Sequence, residues 1–296
     1  MADYLFNRTK SDFRIIPKRK IKPTETYDNI PAECCFEYNV LADLSDPATS
    51  WKNDITSAWF RLDDSAESGD LYFKLYKADG TLATYQPTKT AFVVNPYGAN
   101  FYATIDWNDV LSSDGEGCYT YKVEYIVGGV AGNIEWGNYN LKSYSPDNAK
   151  HQVRLRVLLN QYQSIEGIDF TGSKVVDTIR LNGFFGNREP NMVTDNLIYQ
   201  DRKSYNVQRE VLNTYVLNTD PIMEELTEQI LDLYLLSECE LYISDHNPFN
   251  HTTQFKDLPV IVDETPTIEY MEFSKFAKIT AKVSDKEKNN LSKYNG

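Results

Sequence analysis

The stretch 117-GCYTYKVEYIVGGVAGNIEWGNYNLK-142 decides the fold class of this chain. In its first half Tyr119, Tyr121 and Val123 recur at every second position, which places them on one face of an extended strand. Gly128-Gly129 then supplies a turn, and a second run rich in aromatic and branched residues returns. Two such runs around a glycine turn predict an antiparallel β-hairpin.

Short strands of the same kind precede this hairpin. "DLYFKLYKADGTLATYQ" (70–86) alternates apolar and polar positions and turns at its Asp-Gly, a strong hairpin signal, into a returning strand. "NFYATIDW" (100–107) is interpreted as another strand, with Trp107 on its apolar face. Several short strands without a helical pattern are typical of an antiparallel β-sandwich, immunoglobulin-like or jelly-roll-like. The sequence therefore predicts a β-sandwich domain over residues 31–147.

A polar segment, "SYSPDNAKHQ" (143–152), separates this region from a second one. Beyond it "VRLRVLLNQY" (153–162) alternates apolar Val153, Leu155 and Val157 with arginines, as expected for a strand with one buried face. Further strand patterns follow along the chain. They predict a second β-rich domain over residues 148–284.

One segment of the second region has helical periodicity instead. Asp220 followed by Pro221 is a typical helix start, and acidic residues fill the first turns. Apolar residues then recur at helical spacing, at Ile222, Leu226, Ile230 and Leu233. We therefore predict one amphipathic helix at about 220–237, packed on a sheet, in a mainly β protein.

Charge is distributed unevenly along the chain. The net charge is −13, from 43 acidic and 30 basic residues. Residues 1–30 contain seven basic and four acidic residues, a net charge of +3, which leaves −16 for the remainder. An acidic body disfavours general nucleic-acid binding, because phosphates repel it. The basic segment 1–30 is predicted to be an extended arm, either solvated or docked on the acidic face of a neighbouring subunit.

The composition also favours contact surfaces over a buried cofactor site. Twenty-one tyrosines suit half-buried sheet faces and interfaces. The polar tail 285–296 is expected to be frayed or docked on a partner. Without an apolar run of membrane-spanning length or a signal peptide, we expect a soluble protein with no membrane partner. The candidate interface residues are Arg14, Lys18, Arg19, Lys20, Lys22, Asp245, His246 and His251.

The best candidate for chemistry is "DHNPFNHTTQF" (245–255), which holds two of the three histidines and lies just before Asp257. His246 and His251 are five residues apart, a spacing that fits neither a helical nor a strand-borne metal pair, and Pro248 breaks a helix. No third ligand is fixed by the sequence. We interpret the stretch as a polar connection between two strands, near an interface or an exposed rim, and predict no metal or cofactor. A metal-dependent hydrolase centred on the two histidines remains an alternative.

Other catalytic patterns are missing from the sequence. The GxSxG of a nucleophile elbow is absent, and "LNGFFGN" (181–187) lacks the Lys-Ser/Thr of a phosphate-binding loop. We therefore predict no catalytic residues and no enzymatic activity. Sheet aromatics could still stack on sugars, so a carbohydrate- or receptor-binding module is the first alternative and the metal-dependent hydrolase the second; the aromatic residues concerned are Tyr121, Tyr125, Trp136 and Tyr139.

The second region resembles a known family. The segments that carry the resemblance are "YNVQREVLNTYVLNTDPIMEELTEQILDLYLLSECELYISDHN" (205–247), "FKDLPVIV" (255–262) and "EYMEFSKFAKITAKVSDKEKNN" (269–290). They resemble a pattern in virion proteins of tailed bacteriophages that infect Bacteroidota, the crAss-like phages especially. "IDWNDVLSSDGEGCYTYKVEY" (105–125) resembles a strand opening in sandwich domains of the same phage proteins. His246 stands where that pattern has Tyr.

The resemblance implies a structural role in the virion. It implies a subunit of a homo-oligomeric, twelve-fold ring in the neck or tail, which joins head to tail around the DNA channel. The expected partners are other copies of this chain and the neighbouring neck, tail-ring or portal proteins. Genome DNA would pass nearby without specific binding. Assembly would take place in the host cytoplasm.

Overall fold

The computed structural model describes the parts of the chain that form the strands, helices and most of their connections. The described residues are 38–48, 51–62, 71–95, 98–127, 130–160, 170–171, 173, 175–198, 204–223, 226–227, 230–245, 255–272, 276–286 and 289–290. The protein is mainly β, as predicted.

Sixteen strands are found among the described residues. They are β1 Tyr38–Ala42, β2 Ile55–Leu62, β3 Leu71–Lys77, β4 Thr90–Asn95, β5 Gly98–Asp106, β6 Gly117–Val127, β7 Val130–Ser143, β8 Gln152–Leu158, β9 Val176–Ile198, β10 Ser204–Thr219, β11 Ile222–Met223, β12 Glu240–Asp245, β13 Phe255–Val262, β14 Thr267–Tyr270, β15 Phe276–Asp285 and β16 Asn289–Asn290. The helices with named bounds are α1 Trp107–Asp114, α2 Pro146–Ala149 and a π-helix, Ile230–Leu235. No helix in the described ranges has the length and apolar character needed to cross a membrane.

The first seven strands form two sheets that pack face to face. One has the order β1-β7-β6-β3 and the other β2-β5-β4. Aromatic side chains fill the space between them. Trp59 of β2 packs edge to face against Trp136 of β7, with 5.0 Å between the ring centroids. The Tyr121 hydroxyl of β6 donates to the Ala103 carbonyl of β5 at 2.9 Å. The predicted sandwich is thus observed, with one exception to its antiparallel pattern, because β1 pairs with β7 in parallel.

Helix α1 corrects the expectation of a helix-free sandwich. The strand predicted to include Trp107 ends one residue earlier, because Asp106 caps a helix instead. The Asp106 side chain accepts a hydrogen bond from the Asn108 amide at 2.9 Å, which satisfies one of the free amides at the helix start. Trp107 is fully buried at the first helical position and its Nε1 donates to Thr56 Oγ1 at 2.8 Å.

The predicted turn at residues 78–80 is confirmed, but the returning strand is not. Gly80 has a φ of +82°, which a turn needs and glycine adopts without strain. The amide of Lys77 donates to the Thr81 carbonyl at 2.8 Å. After the turn the chain makes one isolated bridge, Tyr76 to Leu82, and no further strand pairing until β4.

Strands of the second region close into a barrel. Six strands pair in the cyclic order β8-β9-β10-β15-β13-β12, every pair antiparallel. Strand β15 shows why the wall closes around an apolar interior: Ala277, Ile279, Ala281 and Val283 are buried, and the residues between them are exposed. Short strands β11, β14 and β16 extend the sheet beyond the closed part. Since Asn289–Asn290 pairs with β10 of the same chain, part of the tail 285–296 belongs to this sheet.

The first turn of the helix predicted at about 220–237 is a short strand instead. Ile222–Met223 pairs with β15 as strand β11, so Asp220 and Pro221 do not begin a helix. Helical structure is present at Leu226 and Thr227 and as the π-helix Ile230–Leu235. The predicted apolar face is nevertheless the buried one, since Leu226, Ile230 and Leu233 all pack in the core. Strand β10 pairs with β15 only from Thr280 onward. The residues that follow β10 pair with the earlier part of β15, at Phe276 and Ala277, instead of starting a helix.

The two regions share one hydrophobic core. No described strand belongs to both, and the predicted boundary 143–152 coincides with the end of β7 and the start of β8. The buried apolar side chains of the sandwich and of the barrel nevertheless form a single cluster. Phe170 joins the two at this contact, because it meets Trp59 of the sandwich edge to face at 5.4 Å.

The barrel wall depends on a close backbone approach at Gly183. This residue of β9 pairs with Thr219 of β10. A Cβ atom at position 183 would lie 2.3 Å from the Asn218 carbonyl oxygen, so a side chain would push the two strands apart.

We expect Gly183→Ala to lower the free energy of unfolding by about 1–3 kcal/mol, because overpacking forces a backbone shift. Urea denaturation followed by circular dichroism measures it. Asn182→Ala is the matched control on the adjacent, exposed position, and its effect should stay within about 0.5 kcal/mol. Equal stability of the two variants would contradict the close approach.

Candidate functional site

Most of the residues predicted from sequence to form an interface lie outside the described residues. These are Arg14, Lys18, Arg19, Lys20, Lys22, His246 and His251. Asp245 is described, and it is buried at 1% exposure at the end of β12. Its carboxylate accepts a hydrogen bond from the Phe185 amide of β9 at 3.1 Å. The expectation that Asp245 lies on an exposed rim is therefore wrong, because this side chain supports the barrel wall.

Asp257, the other acid near the histidines, also has a structural partner. It lies where the pairing of β12 with β13 is shifted, and its φ of +47° is unusual for a residue with a side chain. This conformation directs its carboxylate to Arg154 Nη1 at 2.8 Å and Arg156 Nη2 at 3.2 Å. No group of three or more His, Cys, Asp or Glu suited to a metal ion is found in the part of the chain that the structure describes.

Two arginines lie directly opposite each other on the barrel wall. Arg154 of β8 pairs in register with Arg180 of β9, and both side chains are almost completely buried. Like charges at opposed positions repel, and burial increases the cost. Asp54, from the connection between β1 and β2, lies between them. Its Oδ1 accepts from Arg154 Nε at 2.7 Å and its Oδ2 from Arg180 Nε at 2.5 Å.

Asp54 is also fixed to the sandwich by its backbone. Its amide donates to the Leu41 carbonyl at 2.9 Å, and the Leu41 amide returns a bond to Oδ2 at 2.7 Å. The Trp107 amide of α1 donates to the Asp54 carbonyl at 3.2 Å. Burial alone would raise the pKa of Asp54, but the guanidinium groups of Arg180 and Arg154 outweigh it and hold the pKa below its usual value. Through its ionised carboxylate and its backbone, Asp54 thus connects β1, β2 and α1 to the barrel.

A second set of bonds seals the free edge of β2 against β9. Among the described strands of its own sheet, β2 pairs only with β5. On its other side the Ile55 amide donates to Thr178 Oγ1 and the Ser57 amide to Asp177 Oδ1, each at 2.9 Å. The Thr178 hydroxyl returns a bond to the Ile55 carbonyl at 2.9 Å. These bonds and the Asp54 ion pairs together form what we call the seam, and the side chains of β9 thereby protect an exposed strand edge.

Sequence reasoning missed the seam. The alternation in "VRLRV" places the arginines opposite the apolar face, and that polar face was interpreted as an ordinary strand surface. The available signal was the residue type, since Arg rather than Lys forms buried ion pairs with fixed geometry. Asp54 gives no comparable signal, because it is one of 43 acidic residues.

The aromatic residues considered for sugar stacking are mostly core residues. Tyr121, Trp136 and Tyr139 are at most 3% exposed, and Tyr125 is partly buried against Phe60. A sugar ring needs an open aromatic face. These side chains therefore do not form a carbohydrate-binding surface, and the alternative of a sugar-binding module loses the residues on which it depended.

The most distinctive feature of the strand pairing is a two-stranded ribbon formed by β9 and β10. Strand β8 covers the outer edge of β9 only as far as Asn182, while β9 continues to Ile198. On the other side β15 and β16 cover β10 only from Glu210 onward. Among the described strands, residues 194–198 and 204–209 therefore pair only with each other. We call this part, roughly 17 Å long at strand rise, the ribbon.

The sequence of the ribbon agrees with a strand at an edge. Pro190, in the part of β9 that leads into the ribbon, has no amide hydrogen and pairs with Asn213 of β10. Proline is tolerated in a sheet where one side of the strand has no neighbour. A two-stranded ribbon is marginally stable alone in water, and its free edges can pair with another chain. The ribbon is thus the candidate interaction site of the described chain.

No protein family model matches this chain, and a comparison with curated proteins finds no match.

We expect Asp54→Ala to lower the free energy of unfolding by about 3–5 kcal/mol, because it leaves two buried arginines without a shared carboxylate. Chemical denaturation at pH 7 measures the loss. Glu264→Ala is the control: it breaks an ion pair with Lys282 that is exposed on both sides and should cost less than about 1 kcal/mol. Equal losses in the two variants would contradict the role of Asp54.

The contribution of Asp54 should also disappear in acid. Because its folded pKa lies below the usual 3.8, its stabilisation is complete above that value and declines as the pH falls further. The stability difference between the wild type and Asp54→Asn should therefore be constant from pH 7 to about pH 5 and shrink below about pH 4. Urea titrations of both proteins at each pH measure it. A difference that grows in acid would contradict an ionised Asp54.

Proposed function

We propose that this chain is a non-enzymatic virion structural protein of a tailed bacteriophage, a subunit of a homo-oligomeric ring in the neck or tail. The observation that carries the proposal is the ribbon. It extends beyond the barrel wall with two strand edges that have no described partner. Such edges favour pairing with a second copy of the chain, and a head-to-tail contact of this kind closes into a ring when the rotation is suitable.

The seam supports a ring subunit in a different way. Every subunit must present its two contact surfaces at the same angle, so flexibility between sandwich and barrel would prevent closure. Buried ion pairs with defined geometry resist such motion, since moving either region would leave Asp54, Arg154 or Arg180 buried without its partner. The single apolar core that spans both regions acts in the same direction.

Charge supports the remaining contacts. The basic arm 1–30, with Arg14, Lys18, Arg19, Lys20 and Lys22, would dock on the acidic body of a neighbour. An acidic ring wall would let genome DNA pass without adhering, because like charges repel. Exposed apolar side chains near the β14–β15 connection, Tyr270, Met271 and Phe276, offer a further contact to a neck, tail-ring or portal protein.

The experiment that tests the proposal shortens the ribbon. Val193 pairs with Glu210, so replacing residues 194–209 with Asn-Gly closes the two strands with a two-residue turn and leaves the barrel pairings intact. We expect the wild type to form rings, seen by negative-stain microscopy and sized by light scattering, and the shortened variant to be a folded monomer.

The control keeps the ribbon and changes only its tip. Replacing residues 199–203 with a glycine-serine segment of equal length preserves all described pairs and should preserve the rings. Circular dichroism and thermal unfolding of each variant verify that the body is folded. A shortened variant that assembles like the wild type, or a wild type that is monomeric at every concentration, would overturn the proposal.

A further inference from the structure

The two sheets of the sandwich have four edge strands, and described contacts cover three of them. The edge strands are β1 and β3 in one sheet and β2 and β4 in the other. On the outer side of β1 the amide and the carbonyl of Leu41 are both bonded to Asp54. On the outer side of β2 the seam supplies the bonds to side chains of β9. Backbone groups that are bonded in this way are not available to a further strand.

Strand β3 is covered by the segment that follows it. The Gln86 side chain bonds to both backbone groups of Leu75, because its Nε2 donates to the Leu75 carbonyl at 2.9 Å and its Oε1 accepts from the Leu75 amide at 3.1 Å. The Ala83 amide donates to the same carbonyl at 2.9 Å. One amide side chain thus occupies the place of a neighbouring strand on β3.

The outer side of β4 differs from the other three edges. Strand β4 pairs with β5 on its inner side, and no strand pairing or backbone hydrogen bond to its outer side is found in the described residues. The side chains of Thr90 and Ala91 are exposed. Its sequence "TAFVVN" (90–95) contains neither a charged residue nor a proline, the residue types that usually protect an edge strand. A bulge at Phe92 is the one protective feature of this edge, so β4 remains able to pair.

The ribbon has an edge of similar length. Strand β8 ends its pairing with β9 at Asn182, so no described strand lies on the outer side of β9 at residues 194–198. The register shift within the ribbon inserts Val207 into β10 and leaves β9 regular there. At strand rise, residues 194–198 of β9 span about 17 Å and residues 90–95 of β4 span about 20 Å. The outer edge of β9 can therefore pair with β4 along most of its length.

The positions of the two edges favour a contact between copies that repeats around a ring. The ribbon belongs to the barrel and β4 belongs to the sandwich, so pairing them joins different surfaces of two copies. Such a head-to-tail contact generates a ring when the rotation closes, whereas pairing of ribbon with ribbon would join identical surfaces and stop at a dimer. The seam and the shared core hold the two edges in a fixed relation within each copy.

We propose that the ribbon of one copy pairs, through the outer edge of β9, with β4 of the neighbouring copy. The sheet β2-β5-β4 of each copy is then continued by β9 and β10 of its neighbour. Main-chain hydrogen bonds provide the affinity of such a strand addition. The pairing rests on the proposed ring function and adds to it the surface that receives the ribbon.

Photocrosslinking in the full chain tests this contact. Benzoylphenylalanine is introduced at the exposed Ala91 of β4, and the variant is mixed with isotope-labelled wild type before irradiation. We expect crosslinks between the two copies that mass spectrometry assigns to the tryptic peptide 189–202, which contains the ribbon part of β9. The matched control carries the same group at Ala131, an exposed position of β7 beyond the part that β1 covers, and should give no crosslink to this peptide.

Negative-stain images of the same samples separate the two ways in which the experiment can fail. Rings whose crosslinks map only to other segments, the basic arm 1–30 included, overturn the pairing of the ribbon with β4 and leave the ring proposal standing. Crosslinks to the ribbon that form only within one copy have the same consequence. A chain that forms no rings overturns both proposals.

Charge on the edge of β4 gives a second measurement. Thr90→Lys combined with Ala91→Lys places two charged side chains there, which opposes strand addition, and leaves the pairing with β5 in place. We expect the concentration for half-assembly in sedimentation velocity to rise about tenfold, a loss of about 1.4 kcal/mol of binding free energy. Ala131→Lys is the control and should assemble like the wild type, while circular dichroism verifies the fold of both. Equal assembly of the two variants would contradict the role of β4.

Discussion

The carboxylate of Asp54, held between Arg154 and Arg180, is the constraint on which the arrangement of this protein depends. The barrel places two arginines at opposed positions of β8 and β9 and so creates a repulsion that it cannot relieve within that strand pair. The compensating charge comes from the connection that leads into β2. The repulsion between Arg154 and Arg180 is therefore compensated by Asp54 only when the sandwich is packed on the barrel.

The same contact explains which parts of the fold could be predicted from sequence. Alternation revealed the strands of both regions, because each has one apolar face, as Tyr121 and Leu155 illustrate. It could not reveal that Arg154 on the opposite face of β8 is also buried, since this residue is polar and the sequence does not indicate what covers it. Barrel closure and the seam are contacts between segments that are distant in the sequence. The alternation of apolar and polar residues within one strand does not predict such contacts.

Local competition accounts for the other differences. The run through "IDWND" fits a strand by alternation, but Asp106 begins a helix because its carboxylate satisfies a free amide. Asp220 and Pro221 have the composition of a helix start, yet Ile222 finds an unpaired stretch of β15 next to it and extends the sheet. At Asp106 the helix cap prevails over the alternating strand pattern. At Ile222 pairing with the edge of β15 prevails over the helix-start signal. The sequence predicts each tendency, while the tertiary neighbours determine which one prevails.

The acids near the histidines bear on the choice between an enzyme and a structural protein. Sequence proximity offered Asp245 and Asp257 as ligands for a metal bound by His246 and His251. In the structure Asp245 supports the Phe185 amide, and Asp257 adopts a left-handed backbone conformation that directs its carboxylate to two arginines. A metal that recruited Asp257 would remove the carboxylate that pairs with Arg156 and one of the two that pair with Arg154, which costs free energy because both arginine side chains are largely buried. Asp245 thus supports the barrel wall and Asp257 pairs with two arginines of β8, so a metal could take either carboxylate only by breaking these contacts.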